Sequence, residues 1–183
     1  FTLLAHQAPV LPLVRRPGTR WDGVALVAGS IAPDLAYVTR GWGYGPWGIA
    51  LWYDAHRIQN LLVTALAASV LAWVVRCCIL PVLPLTLPNL GRFRLRDLRH
   101  VSVRRPRLWA TYGSALVGAV THVVLDAFTH ADGSGVAIGG PLQASLFQLG
   151  SRTVHAYHVL QYGGSVLLAG YTVWWFWRAG RER

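Results

Sequence analysis

The apolar run L-W-A-T-Y-G-S-A-L-V-G-A-V-T-H-V-V-L-D-A-F-T-H, residues 108–130, constrains this chain more than any other segment. As a helix it is long enough to cross a hydrocarbon core of about 30 Å. It also carries ionisable groups that such a core penalises. His122 and Asp126 stand four residues apart and so share one helix face, with His130 two turns from His122. Ionisable groups at bilayer depth typically cost about 2.5–3.5 kcal/mol each and face a bundle interior or a wet cavity. Three on one span mark the core of a site.

Composition agrees with a membrane setting. Of 183 residues, 54% are hydrophobic and only 13% charged, which excludes an ordinary soluble domain. The seventeen basic residues are all Arg, against six Asp and Glu182. A net charge of +10 raises nucleic acid as a partner. The arginines, however, cluster beside hydrophobic runs, where cytoplasmic retention and anionic membrane lipid account for them. Nucleic-acid binding is therefore not expected. Cys77 and Cys78 are adjacent, lack metal-ligand spacing, and read as buried or lipid-facing residues.

The pattern predicts an all-α, polytopic helical bundle forming one integral-membrane domain over 1–183. Residues 1–14 are apolar but short and interrupted by Pro9 and Pro12, so they read as a re-entrant or interfacial segment able to carry His6 to the bundle. Four spans are expected, at about 23–39, 49–75, 108–130 and 157–177. Residues 76–90 carry Pro81, Pro84 and Pro88 and read as a bent interfacial segment rather than a fifth span. The loop 91–107, with seven arginines, is the strongest cytoplasmic marker. Four spans with both termini cytoplasmic place most arginine clusters inside; Arg40, Arg57 and Arg152 are exceptions. Gly113, Ser114, Ala115, Gly118 and Ala119 predict close packing of the third helix against a neighbour.

This topology gathers polar groups from all four spans in the outer half of the bundle. Asp34 falls late in the first, Asp54 and His56 early in the second. His122, Asp126 and His130 lie in the outer half of the third, while His155, His158 and Gln161 open the fourth. Plainer readings stand beside this one. Asp34 after Pro33 can be a helix N-cap, Asp54 and Arg57 a local ion pair, and His155 and His158 solvated groups at the membrane edge. Asp22 and Asp132 read as loop residues.

F-T-L-x-x-H at the start, G-S-I-A-P-D (29–34), S-A-L-V-G-A-V-T-H-V-V-L-D-A-F-T-H (114–130) and V-L-Q-Y-G-G-S (159–165) resemble a family of small bacterial membrane proteins of unknown function. That family is distantly similar to the membrane-bound metal-dependent hydrolases. The resemblance implies an inner-membrane protein with His6, Asp34, His122 and Asp126 as ligands of zinc or manganese, and His130 nearby. Where those hydrolases carry a T-H-S element, this chain reads G-Y-G-P-W-G (43–48), leaving His56 as the imidazole able to substitute.

Two chemistries and one non-enzymatic role follow. The leading expectation needs no cofactor. Asp34, Asp54 and Asp126, with His122, lie beside an aromatic set including Tyr37, Trp47, Trp52 and Tyr53, with Phe128, His130, Tyr157 and Gln161 lining the same level. A carboxylic acid in an apolar, aromatic surround can stay protonated and act as a general acid, and aromatic faces stabilise developing positive charge. That suits cyclisation or isomerisation of an isoprenoid dissolved in the bilayer, by analogy with membrane terpenoid cyclases. The alternative is a metal-activated water cutting an ester or phosphoester of a lipid. The third is a small transporter or assembly protein. Confinement of the polar groups to one half of the membrane argues against a through-path.

Overall fold

The computed structural model describes residues 2–14, 20–35, 55–86 and 106–179. The chain opens with two one-turn helices, α1 (Thr2–Ala5) and α2 (Leu11–Val14), joined by turns around Pro9. Helix α3 (Gly23–Ile31) stops at Ala32 because Pro33 offers no N–H, and a 3-10 turn over Pro33–Leu35 follows. Helix α4 (Leu61–Val74) is entered by a 3-10 turn at Ile58–Asn60 and leaves through a π-helical turn, Val75–Ile79. A single turn, α5 (Leu83–Thr86), succeeds it. Helix α6 (Leu108–Thr129) is followed by a single turn, α7 (Ser134–Ala137). The hairpin β1 (Ser145–Leu149) and β2 (Arg152–His155) leads into α8 (Ala156–Ala179).

Helices α3, α4 and α6 pack together, and their common core is almost entirely alanine: Ala25, Ala28, Ala65, Ala68, Ala72 and Ala115. Large side chains point outward instead, including Leu62, Val63, Leu66, Val70 and Trp73 of α4 and Val166 and Leu167 of α8. Small residues inside and bulky apolar ones outside is how helices associate where the surroundings are as apolar as the core. Ile58–Ile79 and Leu108–Ala137 are both long and apolar enough to cross a membrane.

The small-residue face of α6 packs closely on α3 at Ala115 and Gly118 as expected, but not at Gly113, where a Cβ would meet open space. A Cβ on Gly118 would lie 2.3 Å from the Leu26 carbonyl oxygen and 2.7 Å from the Ser30 nitrogen. Reciprocally, one on Gly29 would lie 2.1 Å from the Ala115 oxygen. Backbone meets backbone, so only separation of α3 and α6 could make room. Gly118→Ala is expected to lower stability by about 1–3 kcal/mol, the usual cost of overpacking. Gly113→Ala, on the same helix with nothing within 4 Å, is expected to raise it by about 0.5–1 kcal/mol. Thermal unfolding in detergent compares them; equal behaviour of the two variants would contradict this packing.

Several boundaries depart from the sequence expectations. The expected first span at 23–39 is an apolar stretch over Gly23–Leu35, too short to be a span by itself, and residues 36–39 lie outside the described residues. The second long helix runs over Ile58–Ile79, continuing past the expected end at 75, and residues 49–54 of the expected span lie outside the described residues. Its extension through Arg76 is possible because that guanidinium is paired internally with Asp22. The expected third helix, 108–130, matches α6 almost to the residue. The expected fourth, 157–177, is helical as α8 but less apolar than the two long helices.

Two further points refine the expectations. Asp22 lies just before α3, outside the helix, as a loop residue does, but it does more than connect. It caps α3, its Oδ1 accepting from the Val24 and Ala25 N–H groups at 3.1 and 3.3 Å, and it is buried. The all-α expectation is met only in part, because residues 145–155 form a β-hairpin and the bundle is mostly rather than purely helical. Its hairpin turns on Gly150-Ser151, with Gly150 at φ +61, a conformation glycine adopts without steric cost.

Candidate metal centre

The end of the bundle opposite Asp22 brings together several imidazoles and carboxylates from different elements. Helix α6 supplies His122 and Asp126, whose i,i+4 spacing sets His122 Nε2 3.2 Å from Asp126 Oδ2. Asp34 comes from the 3-10 turn after α3, and His56 from the turn before α4. Their facing atoms are His56 Nε2, His122 Nε2, Asp34 Oδ1 and Asp126 Oδ2. The two imidazole nitrogens are 3.3 Å apart. His56 Nε2 is 3.4 Å from Asp126 Oδ2 and 3.7 Å from Asp34 Oδ1. His122 Nε2 is 3.7 Å from Asp34 Oδ1. The two carboxylates offer oxygens within 4.8 Å of one another.

These separations are long for charge-assisted hydrogen bonds, which run about 2.7–2.9 Å. They fit something else. Nitrogen and oxygen ligands about 2.0–2.2 Å from a tetrahedral zinc are separated from each other by about 3.3–3.6 Å. Five of the six edges between the four atoms fall at 3.2–3.7 Å. Asp34 Oδ2, Asp126 Oδ1 and His6 Nδ1 are buried and make no hydrogen bond among the described residues. The two carboxylates whose outer oxygens are left so are costly to bury in an apolar bundle unless a cation neutralises them. The residues present therefore fit a divalent ion.

The tautomer of His122 is set by the fold. Its Nδ1 lies 2.8 Å from the Ser30 carbonyl oxygen, which can only accept, so Nδ1 carries the proton. Ser30 sits in the last turn of α3, where carbonyl groups lose intrahelical donors to Pro33. The Nε2 lone pair is thereby turned toward Asp34, His56 and Asp126. An imidazole oriented by a backbone carbonyl is the usual support of a metal ligand. His122 is completely buried, so this orientation has no solvent competitor.

His6 reaches the site because the N-terminal turns dock on α8, where Thr172 Oγ1 donates to the Leu4 carbonyl at 2.9 Å. Its ring stacks on that of His122 with centroids 3.9 Å apart, and its Nε2 lies 3.4 Å from Asp126 Oδ1. Burial first, and the neighbouring His122 second, push the His6 imidazole down to about 4. It is therefore neutral near pH 7, the form that ligates metals. His130, the residue that ends α6, places Nδ1 3.4 Å from the same Asp126 oxygen. Gln161 of α8 sets its amide nitrogen 3.2 Å from His130 Nε2.

The structure thus brings together Asp34, His122, Asp126, His130, Gln161 and His6, and adds His56 in the place the sequence left open for it. Other expected site residues fall elsewhere. Phe128 is half-exposed, its ring against the backbone near Gly135. Tyr157 stacks with His155 and His158 rather than with the carboxylates. His155 Nδ1 bonds the Gln143 carbonyl at 2.8 Å, which ties the end of β2 to the turn before the hairpin. Asp54, Tyr37, Trp47, Trp52 and Tyr53 lie outside the described residues.

Residues 1–183 match the family described as Domain of unknown function (DUF4184), and the chain belongs to it. No curated protein and no solved structure matches the chain.

Proposed function

We propose that this DUF4184 protein is a bilayer-embedded, metal-dependent hydrolase of a lipid ester or phosphoester. The observation that carries the reading is the set of five 3.2–3.7 Å edges joining Asp34, His56, His122 and Asp126. Two imidazoles and two carboxylates are a donor set for zinc or manganese, with no thiolate to favour softer ions. A divalent ion held there polarises an ester or phosphoester oxygen and makes a water acidic enough to attack at neutral pH.

The chain's own residues do the rest. Ser30 holds the proton on His122 Nδ1 and so keeps Nε2 basic. The contact of α3 and α6 at Gly29 and Gly118 fixes Asp34 relative to His122. The apolar outer surfaces of α4 and α8 suit a substrate that arrives through the lipid rather than from water.

The general-acid cyclase expectation draws on aromatic residues and Asp54 that lie outside the described residues. Within them, Asp34 and Asp126 face imidazoles rather than aromatic rings, which supports the metal reading instead. The test is hydrolysis of a panel of ester and phosphoester lipids by detergent-purified protein, before and after chelation. Activity should vanish on chelation and return with zinc or manganese. Chelation-insensitive turnover, or isoprenoid cyclisation by metal-free protein, would overturn the proposal. Ion flux in liposomes without hydrolysis would do so as well.

A further inference from the structure

Asp126 is used on both of its oxygens. Oδ2 faces His56 and His122 at 3.4 and 3.2 Å. Oδ1 faces His6 Nε2 and His130 Nδ1, each at 3.4 Å. We infer that Asp126 is a bridging carboxylate and that His6 and His130 complete a second metal subsite beside the first. The inference rests on the metal reading above and extends it from one ion to a pair.

Three observations carry it. The two contacts on Oδ1 have the same length as the edges of the four-ligand site, about the separation of atoms sharing one ion. Oδ1 is nonetheless buried without a hydrogen bond among the described residues, although two imidazoles stand beside it. A carboxylate oxygen so placed has the surroundings of a metal ligand. Finally, the sequence expectation of His6, Asp34, His122 and Asp126 as a single set divides in the structure. His6 sits on the opposite oxygen of Asp126 from His56 and His122.

The subsite is open on one side. His130 keeps 28% of its side chain exposed, whereas His122 keeps none. Three protein ligands with room beside them is the arrangement of a site that takes water or substrate. His130 Nδ1 also lies 3.2 Å from Thr129 Oγ1, but that hydroxyl spends its hydrogen on the Leu125 carbonyl at 3.0 Å and so does not donate to the Nδ1 lone pair. Half a turn of the Gln161 amide presents its oxygen to His130 Nε2–H, leaving the Nδ1 lone pair for the ion. Held by Asp126 with His6 and His130 on one side and with Asp34, His56 and His122 on the other, a pair of ions would supply charge to both oxygens of a displacement.

Manganese alone is the probe. The full chain, purified in detergent and stripped by chelator, is titrated with Mn(II), desalted, and assayed for metal per chain and by electron paramagnetic resonance. Two Mn per chain with an exchange-coupled spectrum are expected. His130→Ala should hold one Mn with the spectrum of an isolated ion. One Mn per wild-type chain, uncoupled and unchanged by His130→Ala, would overturn the second subsite and leave the four-ligand site standing. No retained Mn would remove both. The wild-type spectrum decides the matter even if a variant fails to fold.

Discussion

His122→Ala is expected to weaken divalent-metal binding by more than about 100-fold, beyond the range seen when only a supporting partner of a ligand is lost. The size follows from the position of the side chain. His122 Nε2 lies on three of the five short edges of the cluster, and its Nδ1 is the one bonded to the Ser30 carbonyl. Removing the ring leaves Asp34 and Asp126 buried with one imidazole fewer between them. It also removes the surface on which His6 stacks. Competition of the purified variant with a fluorescent zinc chelator measures the change. His122→Gln, which keeps a polar group of similar reach, should recover little, because an amide is a weak ligand for zinc. Affinity within a few-fold of wild type in His122→Ala would remove this residue from the site.

The second large effect lies at the other end of the bundle. Asp22 joins three elements: it caps α3, accepts from Thr111 of α6 at 2.8 Å through Oδ2, and pairs through Oδ1 with Arg76 of the π-helical turn. Its own N–H donates to Ser114 Oγ at 2.9 Å. Arg76 is itself buried, with Nε unpartnered among the described residues. Removing one member of such a pair strands the other charge, at a typical cost of about 3–5 kcal/mol.

The two members are not equivalent. Arg76→Met leaves Asp22 with the Val24 and Ala25 N–H groups and the Thr111 hydroxyl, whereas Asp22→Ala leaves a guanidinium without its carboxylate. Asp22→Ala is therefore expected to destabilise by about 3–5 kcal/mol and Arg76→Met by less. The double variant Asp22→Asn with Arg76→Met should be more stable than Asp22→Ala alone. Chemical unfolding in mixed micelles measures all three. A loss below about 1 kcal/mol for Asp22→Ala, near the value of a helix cap alone, would show that the ion pair contributes nothing.

What the sequence disclosed of this molecule depended on separation along the chain. His122, Asp126 and His130 were legible because helical periodicity alone puts them on one face. The close approach of α3 and α6 was legible on one side, in the small residues from Ser114 to Ala119, though Gly113 in the same run takes no part in it. The position of His6 was not, because two proline-interrupted turns and a dock onto α8 intervene. Nor was the role of Asp22, whose partner lies fifty-four residues away. Signals for it existed: an Asp immediately before an apolar helix is a capping pattern, and Arg76 inside V-V-R-C-C-I-L is a charge that must find a partner. The hairpin was announced only by L-G-S-R between short runs of strand-forming residues.

His56 shows the same limit from the other direction. Its sequence context, W-Y-D-A-H-R, carries no ligand spacing to the histidine or aspartates it meets. It was nominated by the absence of a histidine elsewhere, and its nitrogen lies within 3.7 Å of Asp34, His122 and Asp126. Non-local pairing of this kind is set by how helices dock, which periodicity does not encode.

The central claim is that Asp34, His56, His122 and Asp126 surround one divalent ion. X-ray absorption at the zinc edge, on wild-type protein loaded with a single equivalent, reads that ion's neighbours directly. The account predicts about four nitrogen and oxygen ligands at about 2.0–2.1 Å, with the outer scattering of imidazole rings. A hydrated, all-oxygen shell without imidazole scattering would contradict it.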